Sequence, residues 1–117
     1  MTGAGDGRAR VGLAATVWCP FPDQKAVRRA AKLLLNENLI ACANILPSVE
    51  SIFQYDGQVS ASIEAVGVFK TTSEKLESVI SRLGELHPYD TPAIVGWECD
   101  ATHPSTLNWL NGTIGTA

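Results

Sequence analysis

The chain has 117 residues, 45% of them hydrophobic and 18% charged, which excludes a disordered polar chain and supports one hydrophobic core but not two. A net charge of -3 at pH 7 lacks the overall basic footprint that nucleic acid requires, and no apolar run approaches the ~18 residues of a membrane span. Three scattered cysteines, Cys19, Cys42 and Cys99, argue against a disulfide framework or a structural zinc site and for a reducing, cytoplasmic compartment.

Residues 1–10, MTGAGDGRAR, hold three glycines and no apolar pattern, so a loose arm is expected ahead of a single domain over 11–117. The stretch RARVGLAATVWC is too short for a signal-peptide core plus cleavage region, and Val17 and Trp18 are too bulky for the cleavage site. Residues 11–18 read instead as a buried first strand, broken by CPFPD. Asp23 is placed to cap a helix whose stripe is Val27, Ala30, Ala31 and Leu34, with Asn36 and Asn38 at its end. Asp56-Gly57 lies between two β-prone runs, about 41–55 and 58–70, and predicts a hairpin turn. Thr71 followed by Glu74 reads as a capping box for a second helix with the stripe Leu76, Val79, Ile80 and Leu83. Gly84 and His87-Pro88 end that helix, and AIVGWEC forms the fourth strand. A terminal helix follows, packing through Leu107 and Leu110 and stopping at Gly112. The order βαββαβ plus a helix is that of an α+β, ferredoxin-like sandwich.

The hairpin outgrows such a domain. Each arm exceeds the usual ~5–6 residues about twofold, even with a bulge at Pro47. Its outer half carries Ile52, Phe53, Tyr55, Val59 and Ile63, apolar surface that needs cover. Pairing with sister subunits in a closed oligomer supplies that cover; a bulge that bends the ribbon over its own domain is the alternative. Charge is also uneven. Lys25, Arg28, Arg29 and Lys32 crowd the first helix, while after residue 38 nine acidic residues face three basic ones. Such a helix is either a solvated face or a means of steering a charged ligand.

Taken together, HPYDTP (87–92), FKTT (69–72), LIACANILPSVESIFQYDGQV (39–59) and LNWL (107–110) resemble the CutA family, the divalent-cation tolerance proteins, over roughly residues 11–112. The resemblance implies a ferredoxin-like subunit in a homotrimer, related in shape to the PII signalling proteins, and a role in tolerance of copper and other divalent cations. It also implies a metal site of Cys19, His87 and a glutamate directly after the second motif proline, where this chain has Ala93. A thiolate with an imidazole suits Cu(I) or Cu(II), with Glu98, Asp90 or a neighbouring subunit as the remaining donors. For His87 a structural role at the helix end stands beside the metal role.

Cys19 is either a thiol activated near a helix N-terminus, with His87 as its partner base, or a buried free thiol. Cys42 and Cys99 read as core. Lys70, before Thr71-Thr72, suits an anion at a helix start or an ion pair at an interface. Tyr89 and Trp97 are expected to wall an intersubunit cleft or to pack there, with Asp90 alongside and Lys70 as its cation. Asp90 and Glu98 make no acid/base pair that the sequence fixes. The expectation is a non-enzymatic, cytoplasmic trimer that binds copper or another divalent cation and needs no organic cofactor, nucleic acid or membrane. Its alternative is a PII-like trimer binding a small anionic metabolite or a partner protein at its clefts. A hydrolase of acylphosphatase type is disfavoured, because CPFPD lacks the arginine and glycine-rich cradle that chemistry needs.

Overall fold

The computed structural model describes residues 12–115; the expected arm over 1–10 lies outside them. The elements are β1 (Ala14–Phe21), α1 (Gln24–Asn36), β2 (Cys42–Tyr55), β3 (Gln58–Thr72), α2 (Leu76–Leu86), β4 (Val95–Glu98) and α3 (Pro104–Ile114). The strands form one antiparallel sheet in the order β2-β3-β1-β4. This is the ferredoxin-like α+β sandwich the element order predicted.

Helices α1 and α2 cover one face of the sheet, and α3 packs against β3. Val17, Cys19 and Phe21 of β1 and Ala65 and Phe69 of β3 meet Val27, Ala30, Ala31 and Leu34 of α1 and Val79 and Leu83 of α2 in the core. Because side chains alternate along a strand, Thr16, Trp18 and Pro20 point to the other face. Asp23 caps α1 as expected, its Oδ1 accepting from the Ala26 N–H at 2.9 Å. Asn38 ends the helix region in the left-handed conformation, φ 62°, and its amide donates to the Ile114 carbonyl at 2.7 Å, fastening α3 to α1.

Several boundaries differ from expectation, two of them because tertiary pairing outweighed a local preference. Strand β1 does not break at Cys19-Pro20 but runs to Phe21. The Ala14 carbonyl accepts from Cys99 N–H on the β4 side, so the even-numbered residues of β1 direct their backbone groups that way. Pairing to β4 stops at Trp18. Pro20 therefore lacks a donor where no strand would use one. The capping box does not form either. Thr71 and Thr72 stay in the ladder opposite Ala15 and Ala14, Thr71 Oγ1 donates to the Leu39 carbonyl at 2.7 Å, and α2 begins later without a side-chain cap. Strand β4 is shorter than AIVGWEC. Gly112 lies inside α3, which ends at Gly115 with φ 87°, while Leu110 is buried as expected. Cys42 and Cys99 are half-buried and free rather than core.

The hairpin matches its prediction. Asp56 and Gly57 both take positive φ, 54° and 79°, the turn that strand twist favours. The register slips between Leu46 and Val49, so Pro47 and Ser48 bulge opposite Ala65. Beyond the bulge the ribbon stays out in solvent rather than folding home: Ile52, Val59 and Ile63 are 70%, 76% and 63% exposed.

Two glycines of this fold respond oppositely to the same substitution. A Cβ on Gly67 would stand 2.6 Å from the Phe69 ring and 2.9 Å from Val27 Cγ1, whereas one on Gly84 meets nothing within 4 Å. Gly67→Ala is expected to cost about 1–3 kcal/mol through overpacking. Gly84→Ala, within α2, is expected to stabilise by about 0.5–1 kcal/mol. Urea unfolding midpoints of the two variants check the pair.

Candidate functional site

The site grows from one backbone carbonyl. Pro20 O faces the side of β1 that β4 has vacated, and a half-buried carbonyl left without a ladder partner needs a donor. His87, the residue that ends α2, supplies it: Nε2 lies 2.7 Å from Pro20 O. Since a carbonyl only accepts, Nε2 carries the proton, and Nδ1 is left to accept the Tyr89 N–H at 3.1 Å. The ring stacks on Phe21 at a centroid distance of 4.5 Å and meets Tyr89 at 4.7 Å, leaving His87 8% exposed.

Cys19 joins the same atom from within the strand, its thiol directed at Pro20 O at 3.7 Å. The side chain is fully buried, and burial, with a lesser contribution from the Glu64 carboxylate, pushes the thiol up to about 12. It is therefore a protonated, unreactive thiol at neutral pH, and the activated-nucleophile reading loses its basis.

Tyr89 links this cluster to β3. Its hydroxyl donates to Glu64 Oε2 at 2.8 Å. Burial, then the hydrogen bond to Glu64 and the Glu64 and Asp23 charges, raise the phenol to about 12. Glu64 escaped the sequence reading because a glutamate in a β-prone run looks like a surface residue. Its position immediately beyond the bulge, paired with Val49, was the available signal. Beside it an open depression of about 440 Å³ is lined by Asp23, Lys25, Pro47, Ile63 and Glu64.

Of the expected site residues, Cys19 and His87 come together at Pro20 O, and Tyr89 packs on His87. Asp90 and Ala93 are exposed in the following loop. Glu98 pairs with Ala15, four residues along β1 from Cys19, and does not join them. Lys70 and Trp97 lie elsewhere, flanking Thr16 in one cross-strand row on the sheet face opposite α1 and α2. That row is six residues along β3 from Glu64, ~20 Å at ~3.3 Å per residue. Lys70 Nζ donates to Asn44 Oδ1 at 2.9 Å, and no helix starts beside it. Among the described residues no cluster of three or more His, Cys, Asp or Glu side chains forms a metal cage.

Both shifted groups give direct tests. At pH 8 Cys19 is expected to resist iodoacetamide in the native protein and to react in guanidinium, read by peptide mass spectrometry; native labelling would contradict the burial argument. Tyr89 is expected to ionise about two pH units above an ordinary tyrosine, seen as a late absorbance rise at 295 nm that Tyr89→Phe removes. The folded pKa lies above the unfolded one, so the stability it contributes is complete below pH ~10 and lost toward pH ~12.

A family model for the CutA1 divalent ion tolerance protein matches residues 15–113. The divalent-cation tolerance protein CutA of Pyrococcus horikoshii is 36% identical over 94 residues, 80% of this chain and 91% of that protein. The solved structure of the divalent cation tolerance protein of Thermus thermophilus superposes with a TM-score of 0.82 at 32% identity, covering 88% of this chain and 100% of that one. The structure of the periplasmic divalent cation tolerance protein CutA from Archaeoglobus fulgidus gives 0.83 at 29% identity, covering 87% and 99%. The chain belongs to the CutA1 divalent ion tolerance family.

Proposed function

We propose that this chain serves divalent-cation tolerance by binding copper, or another thiophilic cation, at Cys19 and His87, as a non-enzymatic homotrimer in the cytoplasm. The observation that carries the metal reading is the convergence of a thiol and an imidazole N–H on the single acceptor Pro20 O. A sulfur and a ring nitrogen side by side form a donor pair for a soft ion. Cys19 must release its proton to bind as a thiolate, and the His87 proton must move from Nε2 to Nδ1, so loading is coupled to the loss of one proton. Coordination through Nε2 also needs the Nδ1 position that Tyr89 N–H occupies, so loading shifts the 87–92 turn and loosens Tyr89 from Glu64. The outcome is a weak, proton-coupled site, which suits a tolerance protein better than a permanent cofactor centre.

The trimer is supported by the exposed ribbon and by the sheet face opposite α1 and α2, where Trp18, Val95 and Trp97 are open to solvent. The protonated state of Cys19 supports the non-enzymatic reading, and three free thiols support a reducing compartment. Lys70 and Trp97 lie on the face that sister subunits would cover, and belong to the assembly rather than to the metal site.

Calorimetric titration with copper is expected to show affinity rising about tenfold per pH unit for each proton released. Cys19→Ser, which keeps a hydroxyl for Pro20 O, is expected to abolish binding while retaining the fold. His87→Ala is expected to do the same at an added cost of about 1–3 kcal/mol, because Pro20 O loses its partner. Unchanged affinity in Cys19→Ser would exclude the site, and sedimentation as a monomer at micromolar concentration would exclude the trimer.

A further inference from the structure

Lys25, Arg28, Arg29 and Lys32 stand at i, i+3, i+4 and i+7 of α1, and all four are exposed. They make one continuous cationic stripe, ~10 Å long at ~1.5 Å per residue. Among the described residues no ion pair engages any of them. The two carboxylates closest in sequence are committed elsewhere. Asp23 caps the helix through Ala26 N–H, and Glu37 is held by Arg82 through two bonds of 2.7 and 2.8 Å. Four like charges at these spacings repel one another. The fold keeps the stripe unneutralised although its body is acidic.

The stripe has an apolar flank. Pro22, Ala26 and Leu33 face Leu86 and Pro88 across a groove of about 230 Å³ whose rim includes Arg29. A shallower depression beside it is lined by the four cations and Leu33. Cations and apolar wall thus share Arg29 and Leu33 and form one surface.

We propose that this surface docks an acidic peptide segment of a partner protein, its carboxylates on the stripe and one apolar side chain in the groove. Charge complementarity selects an anion, and the groove selects an anion that carries an apolar group. The acidic body selects a short one: a duplex or a charged membrane extends past the stripe onto a chain that beyond residue 38 carries nine acidic against three basic residues. Attraction concentrated on one stripe governs encounter rate and partner choice.

The test uses the full chain and a fluorescein-labelled peptide of about twelve residues with four glutamates at helical spacing and one leucine, followed by anisotropy. Saturable binding is expected, weakening from roughly 50 to 200 mM salt as screening shortens its reach. The peptide with glutamine for glutamate and the variant Arg28→Glu/Arg29→Glu are each expected to bind about tenfold or more weakly. The thermal midpoint of the variant should hold or rise, because two repelling neighbours are removed. Leu33→Ser is expected to weaken binding at unchanged salt dependence. Equal binding by the glutamine peptide or by the charge-reversed variant overturns the proposal. So does binding of duplex DNA or phosphatidylserine vesicles without binding of the peptide. Salt-sensitive self-association that Arg28→Glu/Arg29→Glu abolishes, with no peptide bound, would assign the surface to a second copy instead.

Discussion

The carbonyl of Pro20 is the constraint on which the site depends. It belongs to a central strand, yet it lies two residues beyond the last pairing with β4. A half-buried acceptor in that position has no ladder partner, and leaving it unmade costs more than a typical bond gains. His87 answers it, and in doing so fixes which ring nitrogen holds the proton, which one accepts Tyr89 N–H, and where the 87–92 turn begins. Phe21, the next residue of the same strand, provides the stacking surface. The two prolines of that turn then set a path that brings the Tyr89 hydroxyl to Glu64. A single shortfall in strand pairing thus organises four side chains.

The same arrangement leaves room for both roles that the sequence offers His87, the structural one seen here and the metal one proposed above. At rest it is structural, with both nitrogens engaged and its ring between two aromatic neighbours. Those engagements also put its Nε2 beside a thiol on a shared oxygen. Structural service and the proposed metal capture would be two states of one geometry, separated by protons. Cys19 follows the same logic, since burial holds its thiol protonated and so withholds it from casual oxidation.

The element order, the helix stripes and the Asp56-Gly57 turn were legible in the sequence because each rests on local chemistry: 3.6-residue periodicity, positive φ, an aspartate cap. What escaped notice depended on neighbours. Pro20 reads as a strand breaker until β4 is seen to end before it. Thr71 and Glu74 read as a capping box until the β1 ladder claims Thr71 and Thr72. Cys42 reads as core until alternation puts it across from Lys70 on the face opposite α1 and α2. The Cys19–His87 pairing came from family resemblance, whereas Glu64 had no motif to mark it. Contacts between residues distant in the chain carry no periodic signature.

The bulge at Pro47-Ser48 has a consequence for the outer ribbon. Two residues against one change the phase of β2 relative to β3. Beyond it, Glu50, Ile52 and Gln54 stand opposite Ile63, Ala61 and Val59, while Ser51, Phe53 and Tyr55 stand opposite Ser62, Ser60 and Gln58. Cross-strand partners share a side, so the ribbon has an aliphatic side bearing Ile52, Val59 and Ile63 and a second side that sets two aromatics among hydroxyls. Were Pro47 and Ser48 each to take a partner on β3, every later pair would slip by one residue, setting Ile52 opposite Ser60 on the hydroxyl side and Phe53 opposite Val59 on the aliphatic one. The irregularity therefore sorts the projecting strands into two chemically distinct surfaces, a division that neither strand holds by composition alone.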